Sequence, residues 1–86
     1  MRVLVVEDEP ALREQLAQEL RRGGYTVDVA ADGAEGLYAA TEYPIDVAIV
    51  DLGLPKLSGL ELIRQARGHG RTMPILILTA RDRWQD

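Results

Sequence analysis

The sequence predicts an α/β fold built on a doubly wound parallel sheet, with helices on both faces. Apolar runs of strand length alternate with segments in which apolar residues recur at helical spacing. The connections are short, and the order of elements reads β-α-β-α-β-α-β. Strands and helices that alternate in this way form parallel sheets with right-handed crossovers. At 86 residues, the chain accommodates at most one small domain.

The first third of the chain predicts a strand, a helix and a second strand. Residues 2–6 form a continuous run rich in valine, which is typical of a strand covered on both faces. Pro10 suits the first turn of a helix whose leucines repeat every four residues and which ends at Gly23 and Gly24. Residues 25–30 alternate apolar and polar side chains, which predicts an edge strand with one wetter face.

The middle of the chain predicts a second helix and a third strand. Asp32 and Glu35 have the spacing of an N-cap and its partner, and the helix that they open stops before Pro44. Residues 46–50 are apolar after their first position and predict the third strand.

A third helix and a fourth strand follow. Ser58 and Glu61 form a second capping pair, and we expect Leu60 and Ile63 to face the core from this helix. Residues 74–79 are the most uniformly apolar segment, which predicts an interior strand. An apolar strand left at an edge would favour self-association.

Polar groups follow three of the predicted strands, at the same edge of the sheet. Glu7 and Asp8 follow the first strand, Asp51 follows the third, and Thr79 ends the fourth. Functional groups of parallel α/β sheets collect beyond the C-terminal ends of the strands. Carboxylates that meet there need a proton or a cation, and a site of oxygen ligands without His or Cys favours Mg²⁺, with Mn²⁺ or Ca²⁺ as alternatives. The carbonyl of Gly53 is a further candidate ligand.

A divalent cation beside Asp51 would leave this carboxylate able to attack phosphorus as a covalent nucleophile. The same cation would neutralise charge on the transferring phosphoryl group, and the hydroxyl of Thr79 could donate to one of its oxygens. A single Asp at the end of a strand is usually a solvated turn residue. The prediction therefore rests on the three strand ends taken together.

Composition excludes several classes of function. A net charge of −4 argues against direct binding of nucleic acid, which normally requires a basic face. No apolar run approaches the roughly 20 residues of a membrane span. The absence of cysteine excludes disulfides and thiolate chemistry. We expect a cytoplasmic protein without membrane contact.

Three motifs, VLVVEDE, VDLGLPKLSGLELI and LILTA, closely resemble the receiver domain of bacterial two-component response regulators. The wording of the second motif is most similar to the OmpR/PhoP-type subfamily. The resemblance implies a flavodoxin-like (CheY-like) sheet with strand order 2-1-3-4. It also implies the following site: Asp51 as phosphoacceptor, Glu7, Asp8, Asp51 and the Gly53 carbonyl as ligands of Mg²⁺ or Mn²⁺, Thr79 as the switch hydroxyl and Ala80 as a backbone N–H donor to the phosphoryl group.

The resemblance further implies a sensor histidine kinase as phosphodonor and a parent protein that regulates transcription by binding DNA. Such a chain is a signalling domain and not an enzyme. The family's domain continues into two more helices and a fifth strand, which carries a lysine that pairs with the phosphoryl group. The only lysine here is Lys56, in the loop after Asp51, and it does not match that position. We therefore expect residues 1–86 to be the N-terminal part of a receiver, truncated after the fourth strand and without its output domain, with metal binding retained and phosphorylation impaired.

Three alternative functions remain. The chain would act as an inert module that only self-associates or binds partners, if the absent lysine abolishes phosphotransfer. A second alternative is a Mg²⁺-dependent phosphatase of the haloacid dehalogenase type. The sequence argues against it, because such an enzyme needs a second Asp where Gly53 stands and carries its nucleophile on the first strand. The third alternative is a dinucleotide-binding fold. The sequence argues against it, because EDEPA follows the first strand at the place where that fold needs a glycine-rich turn.

Overall fold

A parallel sheet lies between helices on its two faces. The computed structural model describes residues 1–78. Its elements are β1 (Arg2–Val6), α1 (Pro10–Arg22), β2 (Thr26–Ala30), α2 (Gly33–Glu42), β3 (Val47–Asp51), α3 (Gly59–Gly68) and β4 (Ile75–Leu78). The four strands pair in the order β2-β1-β3-β4, and every pairing is parallel. The predicted α/β class and strand order are confirmed. No helix in this part of the chain has the length and apolar character needed to cross a membrane.

The sheet separates two apolar layers, and β1 contributes to both. Leu4 and Val6 face the larger layer, beneath α2 and α3, where Leu62 is fully buried. Val3 and Val5 face the smaller layer, beneath α1. Successive side chains of a strand point to opposite faces, so a strand covered on both sides is apolar throughout. This arrangement explains the continuous apolar run at the start of the sequence.

Side-chain caps begin α2 and α3 at the positions that the sequence predicts. Asp32 accepts a hydrogen bond from the Glu35 backbone N–H at 2.8 Å, and Ser58 accepts one from the Glu61 N–H at 3.2 Å. Each bond satisfies an N–H that has no partner within the helix. The side chain of Glu61 does not complete a capping box, because it pairs with Arg64 within α3.

The buried face of α3 differs from the prediction. Leu60 is 64% exposed and Ile63 is only partly buried, whereas Leu62 and Ala66 are fully buried. The difference has a tertiary cause. Gly59 packs so closely against the end of β3 that a Cβ would overlap the backbone there, and this contact turns the face that Gly59 shares with Leu62 and Ala66 towards the sheet.

The two outer strands of the described sheet are β2 and β4. The position of β2 agrees with its predicted edge role. The apolar sequence of β4 is typical of an interior strand, but within residues 1–78 this strand pairs only with β3. Its side chains are correspondingly open, with Leu76 59% and Ile77 49% exposed. The described sheet therefore has an apolar outer strand.

Candidate functional site

Three carboxylates meet at the C-terminal ends of β1 and β3. One oxygen from each of Glu7, Asp8 and Asp51 lies within 4.8 Å of the other two. The cause is the strand register: Val6 pairs with Val50 across the parallel β1–β3 ladder, so the residues that follow these two are neighbours. The structure thus brings together the acidic residues that the sequence places at two strand ends.

Burial and like charge both act on this cluster. Glu7 is 1% and Asp51 3% exposed, while Asp8 is half-buried. Burial raises the pKa of the Glu7 carboxyl above its ordinary value, and the negative charges of Asp51 and Asp8 raise it further. The Glu9 backbone N–H, which donates to Glu7 Oε2 at 2.9 Å, acts in the opposite direction. Two unit charges about 4 Å apart repel by roughly 4 kcal/mol at an effective dielectric of 20. A cation would reverse the sign of this interaction.

Hydrogen bonds from two further elements orient the acidic residues. In the loop after β3, the Gly53 N–H donates to Asp51 Oδ1 at 3.2 Å. From the second turn of α1, Arg13 Nη1 donates to the backbone carbonyl of Glu7 at 3.0 Å. Arg13 is not among the site residues that the sequence predicts. The signal available for it was its place one turn into the helix that follows the acid pair, since helical side chains point back towards the N-terminus of their helix.

The donor atoms fit a hard divalent cation. All the candidate side-chain ligands are carboxylate oxygens, which Mg²⁺ and Mn²⁺ favour. The buried Oδ1 of Asp8 accepts no hydrogen bond from any residue in the described range, which is the state expected of a metal ligand. Gly53 lies in open space, since a Cβ there would meet nothing within 4 Å. Gly53 is exposed, which is compatible with a backbone ligand for an ion at this edge of the sheet.

The other two predicted site residues, Thr79 and Ala80, lie outside the described residues. The last described residue, Leu78, pairs with Asp51, so β4 runs alongside β3 up to the level of the acidic cluster. Lys56 pairs with a carboxylate outside this cluster: its Nζ lies 3.7 Å from Asp32 Oδ2.

Comparison with known proteins places the chain among signalling proteins. Residues 3–86 match the response regulator receiver domain family. The chain is 54% identical to the two-component response regulator PhoP of Pseudomonas aeruginosa, over all of its length and 38% of that protein. It is 51% identical to the transcriptional regulatory protein PhoP of Escherichia coli K12, over all of its length and 39% of that protein. The chain thus spans less than two fifths of these relatives.

A solved structure agrees with the sequence comparison. The response regulator TrrA of Thermotoga maritima, in complex with Mg²⁺–BeF, superposes with a TM-score of 0.83 at 36% identity. The match covers 98% of this chain and 75% of TrrA. The family match, the identity to PhoP and the shared fold agree, and the chain belongs to the response regulator receiver domain family.

Proposed function

We propose that this chain is the phosphoacceptor region of a two-component response regulator and that Asp51 is the residue phosphorylated. The observation that carries the proposal is the meeting of Asp51 with Glu7 and Asp8 at the C-terminal edge of the sheet. A buried carboxylate beside two others is costly unless a cation compensates it. Such a cost is typical of a site that is completed by a ligand.

The ligands proposed for Mg²⁺ or Mn²⁺ are Glu7, Asp8, Asp51 and the backbone carbonyl of Gly53. When bound, such an ion neutralises negative charge on the carboxylates and on a transferring phosphoryl group. The chain's own residues supply the positioning. Arg13 fixes the backbone at Glu7, and the Gly53 N–H fixes one carboxylate oxygen of Asp51.

The proposed reaction is transfer of a phosphoryl group from a phosphohistidine of a sensor histidine kinase. A carboxylate oxygen of Asp51 forms a bond to phosphorus, the phosphorus–nitrogen bond breaks, and its electron pair stays on the imidazole. The product is an acyl phosphate on Asp51, so the chain is the acceptor and does not turn over. Thr79 and Ala80 are proposed to contact the phosphoryl oxygens.

The role of the parent protein is proposed from its similarity to the relatives. Two of them carry the name PhoP, and one of these is called a transcriptional regulatory protein. We propose that the parent protein is a cytoplasmic transcriptional regulator whose DNA contacts are made outside residues 1–86. The acidic balance of this chain, with a net charge of −4, supports a receiver that does not itself bind DNA.

Incubation of the chain with acetyl phosphate and Mg²⁺ is expected to give one phosphoryl adduct, measured by intact-mass spectrometry. Asp51→Asn should give none, because the amide cannot act as nucleophile, and chelation of Mg²⁺ should also remove the adduct. Asp46→Asn is the matched control, since Asp46 is exposed and lies at the opposite end of β3, and this variant should keep the adduct. We expect incomplete phosphorylation of Asp51, because Lys56, the only lysine in the sequence, pairs with Asp32 and not with the acidic cluster.

Two results would contradict the proposal. An adduct that persists in Asp51→Asn would place the phosphoryl group elsewhere. A folded parent chain without any adduct would favour the second candidate function, an assembly module without phosphotransfer.

That second candidate is favoured by β4, the apolar outer strand of the described sheet. We propose that the 86-residue chain self-associates through this strand, because exposed apolar side chains accompany backbone groups that face away from β3. Sedimentation velocity at micromolar concentration should show a dimer that dissociates on dilution. Leu76→Lys should give a monomer, whereas Val29→Lys, at an exposed position of the opposite edge strand, should leave the dimer intact. A wild-type monomer at all concentrations would remove this proposal.

A further inference from the structure

The loop between β3 and α3 contains a strained turn. Lys56 has φ of 70°, a left-handed conformation that residues other than glycine rarely adopt. Across it, the Leu57 N–H donates to the Pro55 carbonyl at 2.7 Å. This combination defines a γ-turn with positive φ at its centre, the rarer and strained form. Strained backbone persists only where the surrounding structure holds it in place, and it concentrates at functional sites.

The N-terminus of α2 is what holds this γ-turn. The Gly33 N–H donates to the same Pro55 carbonyl at 3.2 Å. Gly33 also lies so close to the turn that a Cβ would overlap the backbone carbonyl of Leu57. The carboxylate of Asp32, the N-cap of α2, faces Lys56 Nζ at 3.7 Å. Backbone contact, hydrogen bond and ion pair therefore act on the turn from one side.

The γ-turn is connected to Asp51 by a short and closed loop. At its base, the Gly59 N–H donates to the Leu52 carbonyl at 3.1 Å, which joins the start of α3 to the end of β3. Between this bond and the turn lies Gly53, whose N–H orients Asp51 Oδ1. A displacement of the turn would therefore shift the Gly53 amide, which orients the carboxylate, and the Gly53 carbonyl.

We propose that Gly33 and Lys56 are positioning residues: docking of the γ-turn on the N-terminus of α2 holds Gly53 and Asp51 in the geometry that binds the cation. The inference rests on the proposed function, because it concerns the same metal site. It assigns to the N-terminus of α2, which contributes no ligand, a role in metal affinity.

A matched pair at Lys56 tests the strained turn. Lys56→Val and Lys56→Gly both remove the ion pair, and the side chain is 69% exposed, so neither disturbs the core. They differ in backbone preference: glycine adopts positive φ without cost, whereas a β-branched residue resists it. Lys56→Val should bind Mn²⁺ about tenfold more weakly. This is the lower end of the loss of metal affinity that follows mutation of a residue that orients a metal ligand. Lys56→Gly should bind Mn²⁺ as the parent does. Mn²⁺ affinity is measured by electron paramagnetic resonance of the free ion.

A second pair tests the docking contact. In Gly33→Ala, the added methyl group must push the turn away. Gly36→Ala is the control within α2, because its Cβ would come within 2.8 Å of the Val6 and Leu62 side chains and would disturb the core instead. Thermal melting should show that both variants lose stability. Among molecules that remain folded, only Gly33→Ala should lose Mn²⁺ affinity.

The outcomes separate this inference from the proposed function. Parental Mn²⁺ affinity in Lys56→Val and in folded Gly33→Ala would overturn the positioning role and leave the metal site standing. Equal loss in Lys56→Val and Lys56→Gly would assign the effect to the ion pair and overturn the role of the strained turn. A parent chain that binds no Mn²⁺ would overturn both the metal site and its positioning.

Discussion

Replacing Glu7 with glutamine is expected to stabilise the metal-free chain and to abolish its binding of Mg²⁺. Glu7 is buried beside two other carboxylates, so a neutral side chain of the same shape removes both the repulsion and the cost of burying a charge. We expect a gain of about 1 kcal/mol in the free energy of unfolding, which raises the melting temperature of a domain this size by roughly 4–8 °C. Calorimetry in the presence of a chelator measures the gain, and titration with Mg²⁺ measures the loss of binding.

The gain in stability should depend on pH in a defined direction. The raised pKa of Glu7 means that the folded chain holds this proton more tightly than the unfolded chain, where the carboxyl keeps its ordinary pKa of 4.5. Parental stability from this group therefore falls as pH rises from 4.5 through the folded-state pKa. Glu7→Gln lacks this dependence. The difference in melting temperature should be largest at neutral pH and should shrink towards pH 4.5.

The matched control is Glu14→Gln, which removes the same charge from an exposed position on α1. This variant should keep the parental melting temperature and the parental Mg²⁺ affinity. A Glu7→Gln chain that is less stable than the parent in chelator would show that the ionised carboxylate stabilises the fold, and it would contradict the repulsion inferred for the cluster.

Replacing Leu62 with alanine is expected to remove a large part of the stability of the fold. Leu62 is fully buried in the layer that joins α3 to the sheet, and this layer also contains Val6 and Val50. Truncation of such a leucine costs about 2–5 kcal/mol, because the lost burial is accompanied by a cavity. A chain of this length has a total stability on the order of 5–10 kcal/mol. Urea unfolding followed by circular dichroism should show a much lower midpoint, with an unchanged slope if the native state stays compact.

Leu60→Ala supplies the control for this experiment. Leu60 lies on the same helix two residues earlier, but it is largely exposed, and its truncation should change the free energy of unfolding by less than about 0.5 kcal/mol. Equal costs at the two positions would mean that α3 packs through a different face from the one described.

Comparison of α2 with α3 shows which features of the fold can be predicted from the sequence. The caps at Asp32 and Ser58 are local, because the capping oxygen and the N–H that it accepts from lie three residues apart. Such features can be predicted from the sequence. The buried face of α3 cannot, because the positions of Leu60, Leu62 and Ile63 are compatible with more than one apolar stripe along the helix. The choice between them depends on the contact of Gly59 with β3, which only the folded chain provides.

The site divides in the same way. The meeting of Glu7, Asp8 and Asp51 follows from the alternation of strands and helices, because parallel strands place their C-terminal ends at one edge. The groups that orient them depend on contacts between distant segments. The reach of Arg13 to the Glu7 carbonyl and the docking of Gly33 on the γ-turn leave no periodic pattern in the sequence. These contacts exist only in the folded chain.

The acidic cluster takes its members from two strands that are far apart in the sequence and adjacent in the sheet. In the unfolded chain these carboxylates do not share a site, so a cation that bridges them binds only the folded state. Binding of this kind adds stability in proportion to the logarithm of the ion concentration. It acts on the long-range β1–β3 pairing, the type of contact that forms slowly in folding. A higher concentration of the divalent ion would then make separation of β1 from β3 at this edge of the sheet less frequent.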